Sequence, residues 1–142
     1  MPRILSIDYG LKRTGLAVTD PFQIVATGLA TVDTKEVIAF LKNYLQTEPV
    51  ELFIIGDPKN LDGTATHATG LVAAFVKQLN QHFPSIPIKR VDERFTSKIA
   101  RQSIIQSVAK KKDRRNKALV DEIAATIMLQ DYMLGSNTGF AG

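Results

Sequence analysis

Apolar residues in the first third of the chain come in short runs separated by turn residues. Ile4-Leu5-Ser6-Ile7 ends at Asp8, Gly10 and Gly15 bracket a turn, Leu16-Ala17-Val18-Thr19 follows, and Ile24 to Val32 supplies a third run. Runs this short and this rich in strand formers predict three β-strands, and their short connections predict an antiparallel meander. The period then changes. Val37, Ile38, Phe40, Leu41, Tyr44 and Leu45 fall on one face of a helix, capped by Asp33 or Thr34 and ended near Pro49. Leu52-Phe53-Ile54-Ile55-Gly56 is continuously apolar, as expected of a strand covered on both faces. Leu71, Val72, Phe75, Val76, Leu79 and Phe83 mark a second helix closed by Pro84, and Pro87 to Val91 forms a fifth strand leading into Asp92-Glu93-Arg94.

Helical spacing takes over in the last third. Thr96 or Ser97 can cap a helix carrying Ile99, Ala100, Ile104, Ile105 and Val108, and a final helix from about Ala118 carries Val120, Ile123, Ala124, Ile127 and Met128. The order β-β-β-α-β-α-β-α-α predicts an α/β protein: a mixed five-stranded sheet with helices on both faces. Residues 1–135 read as one domain, and 136–142 as a flexible tail of loop composition.

Composition narrows the function. At 142 residues the chain can bury a sizeable core without covalent staples. It has no cysteine, which excludes disulfides and thiolate metal sites and fits a reducing compartment. No apolar stretch reaches membrane-spanning length, and Met1-Pro2-Arg3 runs straight into a strand, so a soluble cytoplasmic protein with no secretory signal is expected. The net charge of +4 permits a polyanionic partner without requiring one.

Three acids stand out by context. Asp8 closes the first strand, Glu93 follows the fifth, and Asp121 lies in the first turns of the last helix. If the first and fifth strands are parallel neighbours, their carboxyl ends meet at one edge, where α/β folds place ligands. Ala124 and Ala125, at i+3 and i+4 from Asp121, put no bulk on that helix face and let it approach the sheet. Convergent carboxylates repel unless a cation neutralises them, and an all-oxygen set points to Mg²⁺ or Mn²⁺ rather than zinc. Plainer readings exist: Asp8 as a hairpin cap, Glu93 as an exposed strand end, Asp121 as an acid favoured by the helix dipole. Asp92 and Glu93 are adjacent, so strand alternation lets only one of them reach the metals.

Four separated motifs resemble the YqgF (RuvX) group of nucleases. They are Asp8-x-Gly10-x-x-Arg13-x-Gly15, then Gly56-x-Pro58 with Asp62-Gly63-Thr64, then Asp92-Glu93-Arg94-Phe95-Thr96-Ser97, and Asp121-Glu122-Ile123-Ala124-Ala125 with Leu129-Gln130 after it. Each is weak alone; all four in this order are specific, and they span Ile4 to about Leu134. Asp57, where the family more often has an apolar residue, and Gly70, which interrupts the second helical pattern, depart from it. The resemblance implies a ribonuclease H-like fold and a cytoplasmic bacterial nuclease maturing the 5′ end of pre-16S ribosomal RNA, with Holliday-junction resolution as the older alternative. It carries the catalytic and metal roles onto Asp8, Glu93 and Asp121, and favours Glu93 over Asp92. Two Mg²⁺ or Mn²⁺ ions would then serve phosphodiester hydrolysis, with Asp8 bridging them.

Cationic residues near these motifs are the candidate substrate contacts. Arg13 can meet a phosphate or pair with a carboxylate of the site, Arg94 is a phosphate candidate, and Lys59 lies in the loop from Gly56 to Thr64. Six of the eight residues from Lys110 to Lys117 are basic; Lys111, Lys112, Arg114 and Arg115 read as a nucleic-acid guide or as a solvated loop. No dimer signature stands out, so a monomer or weak homodimer is expected. Two other classes compete. An actin-like ATP-binding protein also begins Asp-x-Gly after a first strand, but needs a second domain. A non-catalytic nucleic-acid-binding assembly factor would have no need of all three acids.

Overall fold

Short apolar runs become strands here because the sheet and its flanking helices bury both of their faces. The computed structural model describes residues 2–57, 67–92 and 117–137; for 57, 67–69, 92, 117–121 and 135–137 it describes the backbone alone. Strands β1 (Arg3–Asp8), β2 (Arg13–Thr19) and β3 (Ala26–Asp33) come first, and a 3-10 turn at Thr34–Glu36 leads into α1 (Val37–Tyr44). Then follow β4 (Val50–Asp57), α2 (His67–His82), β5 (Ile88–Asp92) and the long α3 (Lys117–Asn137). The helix expected between Thr96 and Val108 lies outside the described residues.

The sheet has the order β3-β2-β1-β4-β5, antiparallel across β1–β2 and β2–β3 and parallel across β1–β4 and β4–β5. The mixed five-stranded sheet is therefore as expected, but one neighbour is not. β4 lies between β1 and β5, so the first and fifth strands are parallel without touching. The reason is burial. Phe53, Ile54 and Ile55 of β4 are all at 0% exposure, which requires a strand on each edge and helices on each face. β5 carries exposed Lys89 and Arg90 and sits at the rim, where charge blunts an open edge.

Pleat alternation sorts the strands into two cores. Leu5, Ile7, Leu16, Val18, Phe53 and Ile55 pack with Val37 and Leu41 of α1 and with Val72, Phe75 and Leu79 of α2. Ile4, Ala17, Ala26 and Ile54 pack on the other face against Ala125, Leu129 and Met133 of α3. Fully burying one such aliphatic or aromatic side chain contributes about 1.5–3 kcal/mol. Helices thus cover both faces.

Three boundaries differ from the sequence reading. β3 begins at Ala26, not Ile24, because Asp20 captures the preceding backbone: its carboxylate accepts from the N–H of Phe22 at 3.1 Å and of Ile24 and Val25 at 2.7 Å. Gln23 takes φ 58° in that turn, and Ile24 is left 71% exposed. Neither Asp33 nor Thr34 caps the first helix with its side chain. α3 runs to Asn137, so Ser136 and Asn137 continue the helix rather than open a tail. Gly70 does not interrupt α2; a Cβ there would meet nothing within 4 Å.

Candidate metal centre

Asp8 owes its position to the parity of β1. Ile4 lies in the α3-side core while Leu5 and Ile7 lie in the other, so the even positions Ile4, Ser6 and Asp8 share the α3 side. Asp8 is the last residue of its strand, half-buried, and stands opposite Gly15 in the β1–β2 register. Gly15, itself buried, brings no side chain to the position opposite Asp8. The turn that follows is held from several sides. Tyr9 packs on Phe75 with ring centroids 4.7 Å apart, and a Cβ on Gly10 would stand 2.3 Å from the Arg13 carbonyl oxygen, so only glycine fits there.

Thr34, a residue the sequence suggested only as a helix cap, braces this turn. Its hydroxyl donates to the Gly10 carbonyl oxygen, and its backbone N–H donates to Lys12 O at 2.9 Å. That leaves the Thr14 hydroxyl to donate to Thr34 Oγ1, at 2.9 Å. Engaged in this way, the Thr34 side chain is not available as a cap.

The last helix is registered on β1 by one buried hydrogen bond. Ser6 Oγ donates to the Ala125 carbonyl oxygen at 3.1 Å, and Ser6 is fully buried. Ala124 and Ala125 are 8% and 0% exposed, so the small side chains let the helix close on the sheet as their sequence positions suggested. Ile4 packs with Leu129 and Met133, so α3 runs antiparallel to β1. Asp121 precedes Ala125 by four residues, a helical rise of about 6 Å. Asp121 therefore lies one helical turn before the Ser6 contact, on a helix that covers the Asp8 side of the sheet. Beside it, Glu122 lies flat on β3: a Cβ on Gly28 would sit 2.3 Å from Glu122 Oε1. Sequence reasoning passed over Glu122; the signal was a glycine inside a strand, which often marks a close approach.

On the other flank, Gly56 pairs with Val91 and Asp57 with Asp92, so β4 and β5 end at the same sheet edge as Asp8. Among the described residues no cluster of three His, Asp or Glu side chains forms a metal site. Asp8 is the one proposed ligand whose side chain is described. Glu93, Arg94, Lys59, Lys111, Lys112, Arg114 and Arg115 lie outside the described residues, while Asp121 and Asp92 are described by backbone alone. Arg13 starts β2, half-buried and opposite Asp33. Asp20 is held below the usual carboxylate range by the N–H of Val25 and then those of Ile24 and Phe22, and burial raises Tyr44.

Known proteins agree with this architecture. The family model RuvX, described as a Holliday junction resolvase, matches residues 2–134. A Flavobacterium psychrophilum protein is 56% identical over 133 residues, covering 94% of this chain and 97% of that protein; one from Bacteroides thetaiotaomicron is 50% identical with 94% and 96% covered. Both are provisionally named pre-16S rRNA nucleases. Among solved structures, T. thermophilus RuvC in complex with a Holliday junction substrate superposes with a TM-score of 0.62, covering 98% of this chain and 97% of that one. At 14% identity that likeness shows the ribonuclease H-like fold alone. With a family match along nearly its whole length and relatives at least half identical, this chain belongs to the RuvX family.

Proposed function

We propose that this RuvX-family chain is a divalent-metal-dependent nuclease of the bacterial cytoplasm. Its proposed substrate is structured RNA at the 5′ end of pre-16S rRNA, and its proposed metal ligands are Asp8, Glu93 and Asp121. One observation carries the reading: the Ser6–Ala125 hydrogen bond, which fixes α3 on the Asp8 side of the sheet one helical turn from Asp121. The surroundings fit hard cations, since Gly15 opposite Asp8 brings no competing side chain and α3 meets the sheet through the small residues Ala124 and Ala125. Two Mg²⁺ or Mn²⁺ ions would supply charge relief at the phosphate oxygens and an activated water at neutral pH. The chain's own part is to hold the carboxylates on a rigid edge and to bind the flanking phosphates through Arg13, Arg94, Lys59 and the basic run from Lys111 to Arg115.

Strand parity supports Glu93 over Asp92. Val91 packs in the α3-side core, the side of Asp8, and Asp92, the next and last residue of β5, has the opposite parity. Branched DNA is the second reading, favoured by the family's description as a Holliday junction resolvase. Purified protein with Mg²⁺ or Mn²⁺, offered a 16S precursor 5′ segment and a four-way DNA junction, separates the two. Cleavage of the RNA, lost in Asp8→Asn, supports the first reading; cleavage of the junction alone replaces it with the second. Failure to cut either, with binding intact, would leave a non-catalytic assembly factor.

A further inference from the structure

Leu11 is 70% exposed at the tip of the turn that leaves Asp8. A single exposed leucine is ordinary on a protein surface. This one differs in how it is held and in what surrounds it. The turn is clamped by Tyr9 on Phe75, by the Thr34 hydroxyl on Gly10 O and by the Thr34 N–H on Lys12 O. An apolar side chain is thus presented on a fixed support, three residues from Asp8 and next to the exposed cation Lys12. The other large apolar side chains exposed among the described residues lie on the Asp20 turn or near the end of α3.

We propose that Leu11 is a substrate-contacting wedge: it packs against an unstacked nucleobase beside the scissile phosphate while Lys12 binds the adjoining backbone phosphate. The inference rests on the nuclease reading and deepens it. Aliphatic side chains inserted at a base step unstack it, and a preorganised support avoids the ordering cost of a mobile loop. A neighbouring ammonium supplies the charge complement that a nucleic-acid strand requires, which an apolar protein partner would not.

The test uses the Asp8→Asn protein, so that binding is read without turnover. The probes are a hairpin RNA with a single-stranded 5′ flank and a four-way DNA junction, each carrying 2-aminopurine at successive positions. The expected result is a rise in 2-aminopurine fluorescence at one position on binding. Leu11→Ser should abolish that rise and weaken binding about tenfold, the scale of one base contact. Leu11→Met should retain both, and Lys12→Ala should lower the log–log salt slope by about one unit. Leu11 is exposed, so melting temperature should not change. The arm that shows the signal identifies RNA or DNA as the wedged strand. Unaltered fluorescence and affinity in Leu11→Ser overturn the wedge while leaving the nuclease reading intact. Absence of binding to either probe by the parent protein overturns that reading together with the wedge.

Discussion

Asp8 sits where a carboxylate is costly unless something compensates its charge. Its strand neighbours are fully buried, and the pleat directs it to the side of the sheet that α3 covers. If it shares cations with two further acids, removing its charge relieves repulsion in the metal-free protein. Asp8→Asn is therefore expected to lose cleavage while its metal-free melting temperature stays level or rises. Circular dichroism melts beside a cleavage assay check this, and wild-type cleavage in a folded Asp8→Asn protein would remove Asp8 from the site. Asp20 offers a contrasting case at the opposite sheet end. Its pKa is lowered by backbone N–H bonds, chiefly that of Val25, so the stability it contributes is present at neutral pH. That stability is lost as pH falls through the depressed folded value, below about 4. Melting curves from pH 7 to pH 2 should show a smaller acid loss in Asp20→Asn than in wild type. Identical curves would show that the turn gains nothing from the charge.

Helix α3 is the element on which the site depends, because one helix joins the sheet to the candidate ligand at Asp121. Its approach is set by Ala124, Ala125 and the Ser6 bond at β1, and by Glu122 against Gly28 at β3. Gly28→Ala places a methyl within 2.3 Å of the Glu122 carboxylate, so the side chain or the helix must shift. A destabilisation of about 1–3 kcal/mol is expected, as for other overpacked sites. Glu122→Ala should return most of it, a coupling that a double-mutant cycle by urea denaturation measures. Additive effects would show that Glu122 moves aside freely. The close approach of this helix was legible in the sequence, since small residues at i+3 and i+4 from Asp121 have one plain consequence. The strand neighbours were not. Periodicity reports which residues are buried but not which strand lies beside which, and β4 took the place between β1 and β5 because its run needs cover on every side. Thr34 was misread for a related reason: a hydroxyl before a helix looks like a cap until a carbonyl from a distant turn claims it. The acids of the third motif and the basic run fall outside the described residues, so their roles rest on the family resemblance and on strand parity.

For the molecule as a whole, charge sets how a polyanion is met. The formal net charge of +4 is modest, and four of the eighteen cations lie at Lys111, Lys112, Arg114 and Arg115. Replacing those four with alanine takes the formal charge from +4 to zero, so weaker binding alone would not distinguish local contact from bulk attraction. Salt dependence does distinguish them. Each phosphate neutralised by a bound cation releases counterions and adds about 0.7–0.9 to the slope of log affinity against log salt. If all four residues touch phosphate, the slope should fall by about three units, with calorimetric metal binding unchanged. The control removes charge from the other side of the molecule: Lys35, Lys42 and Lys77 are exposed at or near α1 and on α2, across the sheet from α3. Their alanine variants should weaken binding slightly at low salt and leave the slope near its wild-type value, because screened long-range attraction involves no bound phosphate. Equal slopes in the two sets would reduce the basic run to a solvated loop. A steep loss confined to residues 111–115 would place the path of the nucleic acid alongside the helix that carries Asp121.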